Sequence, residues 1–159
     1  MLKLYKTVNG QLHYWETWEE NRRTATIHWG IVGEEGEQKE VSSGFFSSVH
    51  KSVQKLIDQK LEEGYTAFEE EQLATLEIVY TIDGFGNEAD LDKRYLLEEK
   101  LNQILGWTGL GEVDGGSIGS GTMEVACLVV DVEIAKKVIQ KELQNTEFED
   151  YSEIILWNS

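Results

Sequence analysis

The side chains of this sequence that could do chemistry are its 3 His, its 1 Cys, its 30 Asp and Glu, and the serines set among its glycines. Ser117 and Ser120 sit in no G-x-S-x-G elbow, and His13, His28 and His50 all belong to the first half of the chain, so neither serine has a base beside it in sequence. No H-E-x-x-H pair is present to hold zinc. One cysteine makes neither an internal disulfide nor a multi-thiolate metal site, and Cys127, inside the apolar run Val125 to Val130, reads as a small buried hydrophobe. Asp83, Asp90, Asp92, Glu112 and Asp114 would hold a hard cation only if the two loops that carry them met at one end of a sheet, and Asp83 to Asp92 lacks the alternating ligands of an EF-hand.

Seven glycines, Gly106, Gly109, Gly111, Gly115, Gly116, Gly119 and Gly121, crowd one stretch. A phosphate cradle needs backbone N–H groups feeding a helix N-terminus, usually with a Lys nearby. This stretch feeds a strand, contains no Lys or Arg, and carries Glu112 and Asp114, which repel an anion. It reads as a flexible or bulged β-hairpin arm, and Glu112, Asp114, Gly115, Gly116 and Gly119 mark it as the loop of functional interest. No catalytic residue, metal ligand or cofactor is assigned.

The elements that must position these residues fall into two halves. Leu2 to Lys6, Gln11 to Trp18, Thr24 to Trp29 and Gln38 to Ser42 read as strands, with Asn9-Gly10 as a tight hairpin turn. Val53, Leu56, Ile57 and Leu61 then fall at helical spacing and stop at Gly64. The second half reads as a strand from Leu76 to Ile82 and a helix capped by Asn87 with Tyr95, Leu97, Leu101, Ile104 and Leu105 on its buried side. A strand from Met123 to Val130, a helix capped by Asp131, and a last strand from Glu153 to Trp157 follow. With Leu110 to Val113 as a short strand, the order is βαββαβ, the split βαβ pattern of ferredoxin-like folds. The expected class is α+β: a small antiparallel sheet plus helix over residues 1–68, then an acidic ferredoxin-like sandwich over 73–159.

His28-Trp29-Gly30-Ile31-Val32-Gly33-Glu34-Glu35-Gly36 resembles the signature of the WGR domain. That pattern is Trp-Gly-Arg, an aliphatic residue, Gly, and a further Gly, between hairpin strands and a helix ending near Gly-Tyr; Gly64-Tyr65 stands at that last place. The resemblance covers residues 1–66, with Trp29, Gly30, Gly33 and Gly36 as its motif residues. WGR domains occur in DNA-dependent poly(ADP-ribose) polymerases and in bacterial proteins that resemble a molybdate-metabolism regulator. In the polymerases the Trp packs on the sugar of a DNA-end nucleotide and the Arg contacts neighbouring domains. The resemblance therefore implies a DNA-stacking role for Trp29, but Ile31 stands where the motif has its Arg, so the charged relay contact is lost.

Charge weighs against DNA. The net charge is −16, with 8 basic and 12 acidic side chains in residues 1–70 against 6 and 18 in residues 71–159. Affinity for phosphates rests on Lys and Arg, and the first half clusters them only at Arg22-Arg23. An acidic field steers basic partners instead. The longest apolar run is too short to span a membrane and the first residues lack the apolar core of a signal peptide. The sequence thus describes a cytoplasmic, non-enzymatic recognition or regulatory protein, without cofactor, whose partner is a protein of basic character. DNA-end binding through Trp29, Arg22 and Arg23 is the alternative, and a metal-dependent enzyme the residual one.

Overall fold

The computed structural model describes residues 1–45 and 47–157. The chain divides into two compact units, Met1–Glu69 and Glu70–Ser159. Each contains a four-stranded antiparallel sheet, and the fold class is α+β.

In the first unit, strands β1 (Leu2–Val8), β2 (Gln11–Glu19), β3 (Thr24–Ile31) and β4 (Glu37–Ser42) lie in sequence order, and helix α1 (Val49–Glu62) follows. Val8 pairs with Gln11, leaving Asn9 and Gly10 as a two-residue turn with φ of 52° and 80°. Two positive φ values match the right-handed twist of the flanking strands, which is why Asn-Gly serves here. Ser48 caps α1 by accepting from Lys51 N, and Gly64, at φ 93°, follows its end. Alternation along the strands sends Leu4, Trp15 and Ile27 to one face, where Leu56 and Ile57 of α1 cover them. Burying each such aliphatic side chain stabilises the unit by about 1.5–3 kcal/mol.

The second unit runs β5 (Ala74–Thr81), α2 (Glu88–Trp107), β6 (Gly111–Gly119), β7 (Thr122–Val129), α3 (Val132–Leu143) and β8 (Glu153–Trp157), with strand order β6-β7-β5-β8. This is the split βαβ connectivity. Asn87 and Asp90 form a reciprocal capping box at 3.0 Å each way, and Asp131 Oδ1 accepts from Ile134 N at 2.9 Å. Leu97, Leu101 and Leu105 of α2 and Ala135, Ile139 and Leu143 of α3 are buried. Tyr95, expected on the buried side of α2, is instead 54% exposed, because the buried stripe follows the four-residue spacing that starts at Leu97. Among the described residues, no helix is long and apolar enough to cross a membrane.

The glycine-rich stretch forms the bulged β-hairpin expected of it, with β7, but its first strand is longer than Leu110–Val113: Gly111 to Gly119 is a full edge strand of the sheet. Its register against β7 jumps between Val113 and Gly115, leaving Asp114 in a bulge. Two of these glycines, Gly111 and Gly116, answer to close packing, whereas Gly115, Gly119 and Gly121 serve positive φ. A Cβ on Gly116 would stand 2.6 Å from Glu98 Oε1 and 2.8 Å from the Glu124 carbonyl, and one on Gly111 would stand 1.9 Å from the Leu128 carbonyl. Helix α2 uses that closeness. Arg94 Nη1 donates to the Gly116 carbonyl at 3.0 Å, and Asn102 Oδ1 accepts from Val113 N at 2.9 Å.

The same logic fixes the loop between β3 and β4. The Tyr14 hydroxyl reaches the carbonyls of Glu34 and Glu35 at 2.9 and 2.8 Å and draws the loop onto the sheet. Gly36, at φ 69°, has room for no side chain, since a Cβ would lie 2.2 Å from the Trp29 carbonyl and 2.5 Å from the Tyr14 hydroxyl. Gly36→Ala is expected to destabilise the protein by about 2–4 kcal/mol, combining left-handed strain with overpacking. Gly10→Ala, with nothing within 4 Å of its Cβ, is expected to lose only about 1–2 kcal/mol from the same strain. Urea denaturation of both variants checks the difference.

Candidate functional site

Chemistry-bearing side chains of the first unit gather on the sheet face turned away from α1. Register sets Glu16 opposite His28 and Tyr14 opposite Gly30. His28 Nδ1 lies 2.6 Å from Glu16 Oε1, while its Nε2 meets the Glu35 carbonyl and lies 3.2 Å from the Tyr14 hydroxyl. Lys3 Nζ stands 3.9 Å from the other Glu16 oxygen. Burial first, then the Glu16, Glu34 and Glu35 carboxylates, push the Tyr14 phenol well above its ordinary range, so it keeps the proton it donates to the loop. Glu16 is 4% and His28 1% exposed. Buried charges survive only when partnered, and these partners face one another rather than solvent. The trio anchors the loop of Gly33 and Gly36 and offers no base to a substrate. The sequence assigns His28 no catalytic or metal role and gives Glu16 no role at all; the signal for the pair is the alternation of Tyr14 and Glu16 on a strand paired to that of His28.

The residues of the DNA-end reading do not converge. Trp29 points to the α1 side of the sheet, pairs across to Trp15, and packs partly buried against the Leu4, Trp15 and Ile27 cluster. Gly30 lies against Gly36 and the Tyr14 ring, again a packing position. Arg22 and Arg23 are exposed in the turn before β3, where Asn21 Oδ1 accepts from Arg23 N at 2.8 Å. Six residues of extended strand separate Arg23 from Trp29, about 20 Å.

In the second unit the loop of interest becomes part of a charge-sorted sheet. The unit holds 19 acidic and 6 basic side chains, and all six bases, Lys93, Arg94, Lys100, Lys136, Lys137 and Lys141, sit on α2 and α3. The four strands carry Glu77, Glu112, Asp114, Glu124 and Glu153 and not one Lys or Arg. Register aligns Glu112, Leu128, Thr75 and Trp157 in one row across the sheet, and Gly115, Ala126, Glu77 and Ile155 in the next. Alternation places these rows opposite Met123, Val125, Cys127 and Val129, all fully buried on the helix side. Glu124 belongs to the outer face too, held by the hydroxyls of Ser117 and Thr122, which keep its carboxyl below the usual carboxylate range.

The hard-cation arrangement does not form. Glu112 shares a row with Thr75 at the start of β5, whereas Asp83 follows the end of β5 and Asp90 is occupied in the α2 cap. Eight extended residues, about 26 Å, divide Thr75 from Asp83. Among the described residues no group of three or more His, Cys, Asp or Glu could hold a metal ion. Cys127 is buried, and that burial, followed by the Asp114 charge, pushes its thiol up to about 12.

Compared with protein-family models, with curated proteins and with solved structures, the chain finds no match in any of the three.

Two outcomes follow from this geometry. Cys127 is expected to stay unmodified by a thiol-reactive dye at pH 8 in the native protein and to react fully once the chain is unfolded in urea, as followed by absorbance. Glu124 has a lowered folded pKa, so its stabilising contribution is full above the ordinary value of 4.5 and fades as pH falls through the folded value. Glu124→Gln is expected to flatten the loss of stability on acidification below that value, measured by urea midpoints across pH.

Proposed function

We propose that this chain is a non-enzymatic, cytoplasmic recognition protein whose acidic second unit, a ferredoxin-like module, takes a protein partner of basic character, alongside a WGR-like first unit. The observation that carries this reading is the sorting of charge: every Lys and Arg of the second unit lies on its two helices, and its strands present carboxylates alone. A surface of one sign raises the encounter rate with an oppositely charged partner and rejects phosphate backbones. The contrary reading, DNA-end binding through Trp29, Arg22 and Arg23, has against it the packing of Trp29 on the core and its separation from the arginines.

Fluorescence anisotropy with a labelled oligolysine and with a labelled nicked DNA duplex, at about 50 mM and 200 mM salt, separates the two readings. The oligolysine is expected to bind at the lower salt and to weaken markedly at the higher, and the duplex to bind at neither. Removing two charges from the strands, in Glu77→Gln with Glu112→Gln, is expected to weaken oligolysine binding about two- to tenfold. The same change on α3, Glu133→Gln with Glu142→Gln, is expected to leave it unchanged. Duplex binding that Trp29→Ala abolishes would overturn the proposal.

A further inference from the structure

Two four-stranded sheets present four edges, and three of them are guarded. Along β1, Tyr5 exchanges backbone hydrogen bonds with Thr66 at 2.7 and 2.9 Å. Strand β4 exposes Glu37, Lys39 and Glu40, charges that resist pairing with another strand. The backbone of β6 is met by Asn102 and Arg94 of α2. Strand β8 differs from all three. It pairs with β5 on one side and, among the described residues, with no strand on the other. It has no Lys, Pro or bulge, its one exposed charge is Glu153 at its start, and its last three side chains are exposed and apolar: Ile155 at 36%, Leu156 at 45% and Trp157 at 58%.

An unguarded edge offers a row of unpaired N–H and C=O groups, the template onto which an extended segment adds. Its surroundings say which segment. Glu153 is exposed at the start of β8, and Glu77 stands opposite Ile155 on the outer face, with no base on any strand. A second copy of this chain would bring another unit of the same sign, with 19 acids against 6 bases, to the edge, and like charges oppose that pairing. We infer that β8 is a docking edge for an extended segment of the partner protein that alternates Lys or Arg with apolar residues. Its backbone pairs with β8, its cations meet Glu153 and Glu77 on the outer face with their aliphatic stems along Ile155 and Trp157, and its apolar side chains cover Leu156 on the other face. This rests on the basic-partner reading above and adds to it the place and mode of binding.

The test uses two labelled synthetic peptides of alternating Lys and Val, one unmodified and one N-methylated on the amides of a single edge, titrated into the full chain at low salt. Charge and side chains are the same, and the methyl groups remove the donors that one edge needs to add as a strand. The unmodified peptide is expected to bind at least tenfold more tightly than its methylated analogue, and Ile155→Lys, an exposed position that leaves the core intact, is expected to weaken it about tenfold. Equal binding of the two peptides, or unchanged binding to the Ile155→Lys variant, would overturn the docking edge while leaving the basic-partner reading standing. Failure of both peptides to bind would remove that reading and the inference with it. Sedimentation of the protein alone as a dimer that Ile155→Lys dissociates would assign the edge to a second copy and likewise overturn it.

Discussion

A strand sends successive side chains to opposite faces, and the second unit of this chain depends on that alternation more than on any single contact. In β7 it turns Met123, Val125, Cys127 and Val129 toward the helices and leaves Glu124, Ala126 and Leu128 outside. In β5 it buries Leu76, Ile78 and Tyr80 and leaves Glu77 on the outer side. Because α2 and α3 bring every cation of the unit, what faces away from them is negative by construction. Core formation and charge sorting are one event, and a slip of one residue in register would undo both.

Close approach of backbone is the second device, and it recurs in both units. Gly116 lets α2 come near enough for Arg94 and Asn102 to reach the backbone of β6. Gly36 lets the β3–β4 loop lie against Tyr14, whose hydroxyl then holds two carbonyls of that loop. Tyr80 acts similarly, donating to the Phe148 carbonyl at 2.7 Å and pinning the connection from α3 to β8. The last two tie a segment without a helix or ladder of its own to the sheet beneath it. A buried polar group so partnered costs little, and one left alone costs about 1–3 kcal/mol.

Most of the fold was legible because its signals are local. Asn9-Gly10, Asn87 with Asp90, and Asp131 mark turns and caps by chemistry that neighbouring residues complete, and the βαββαβ order follows from them. The bulged hairpin of β6 and β7 is legible, but the length of β6 is not, because glycine has little strand propensity and the neighbours that make Gly111 and Gly116 necessary are tertiary ones. Tyr95 was misplaced because apolar spacing admits two stripes on α2 and only packing selects one. The sites were less legible. Trp29, read from its motif, packs partly buried against the Leu4, Trp15 and Ile27 cluster, a contact the motif alone does not show. The absence of Lys and Arg from β5, β6, β7 and β8 was visible in the residues, but its meaning needed the helices assigned to one face. The bare edge of β8 could not be seen without the strand order, which places the last strand of the chain beside the first strand of its unit.

The central claim is that the strands of the second unit, with β8 at their free edge, are where a basic partner binds. Backbone amide shifts of isotopically labelled protein, followed by NMR during titration with the alternating Lys and Val peptide, test it most directly. The account predicts that the largest shifts fall on Glu153 to Trp157 and on the facing residues Thr75 to Val79, with the amides of α2 and α3 nearly still. Largest shifts on the helices, or on the first unit around Trp29 and Arg22, would contradict it.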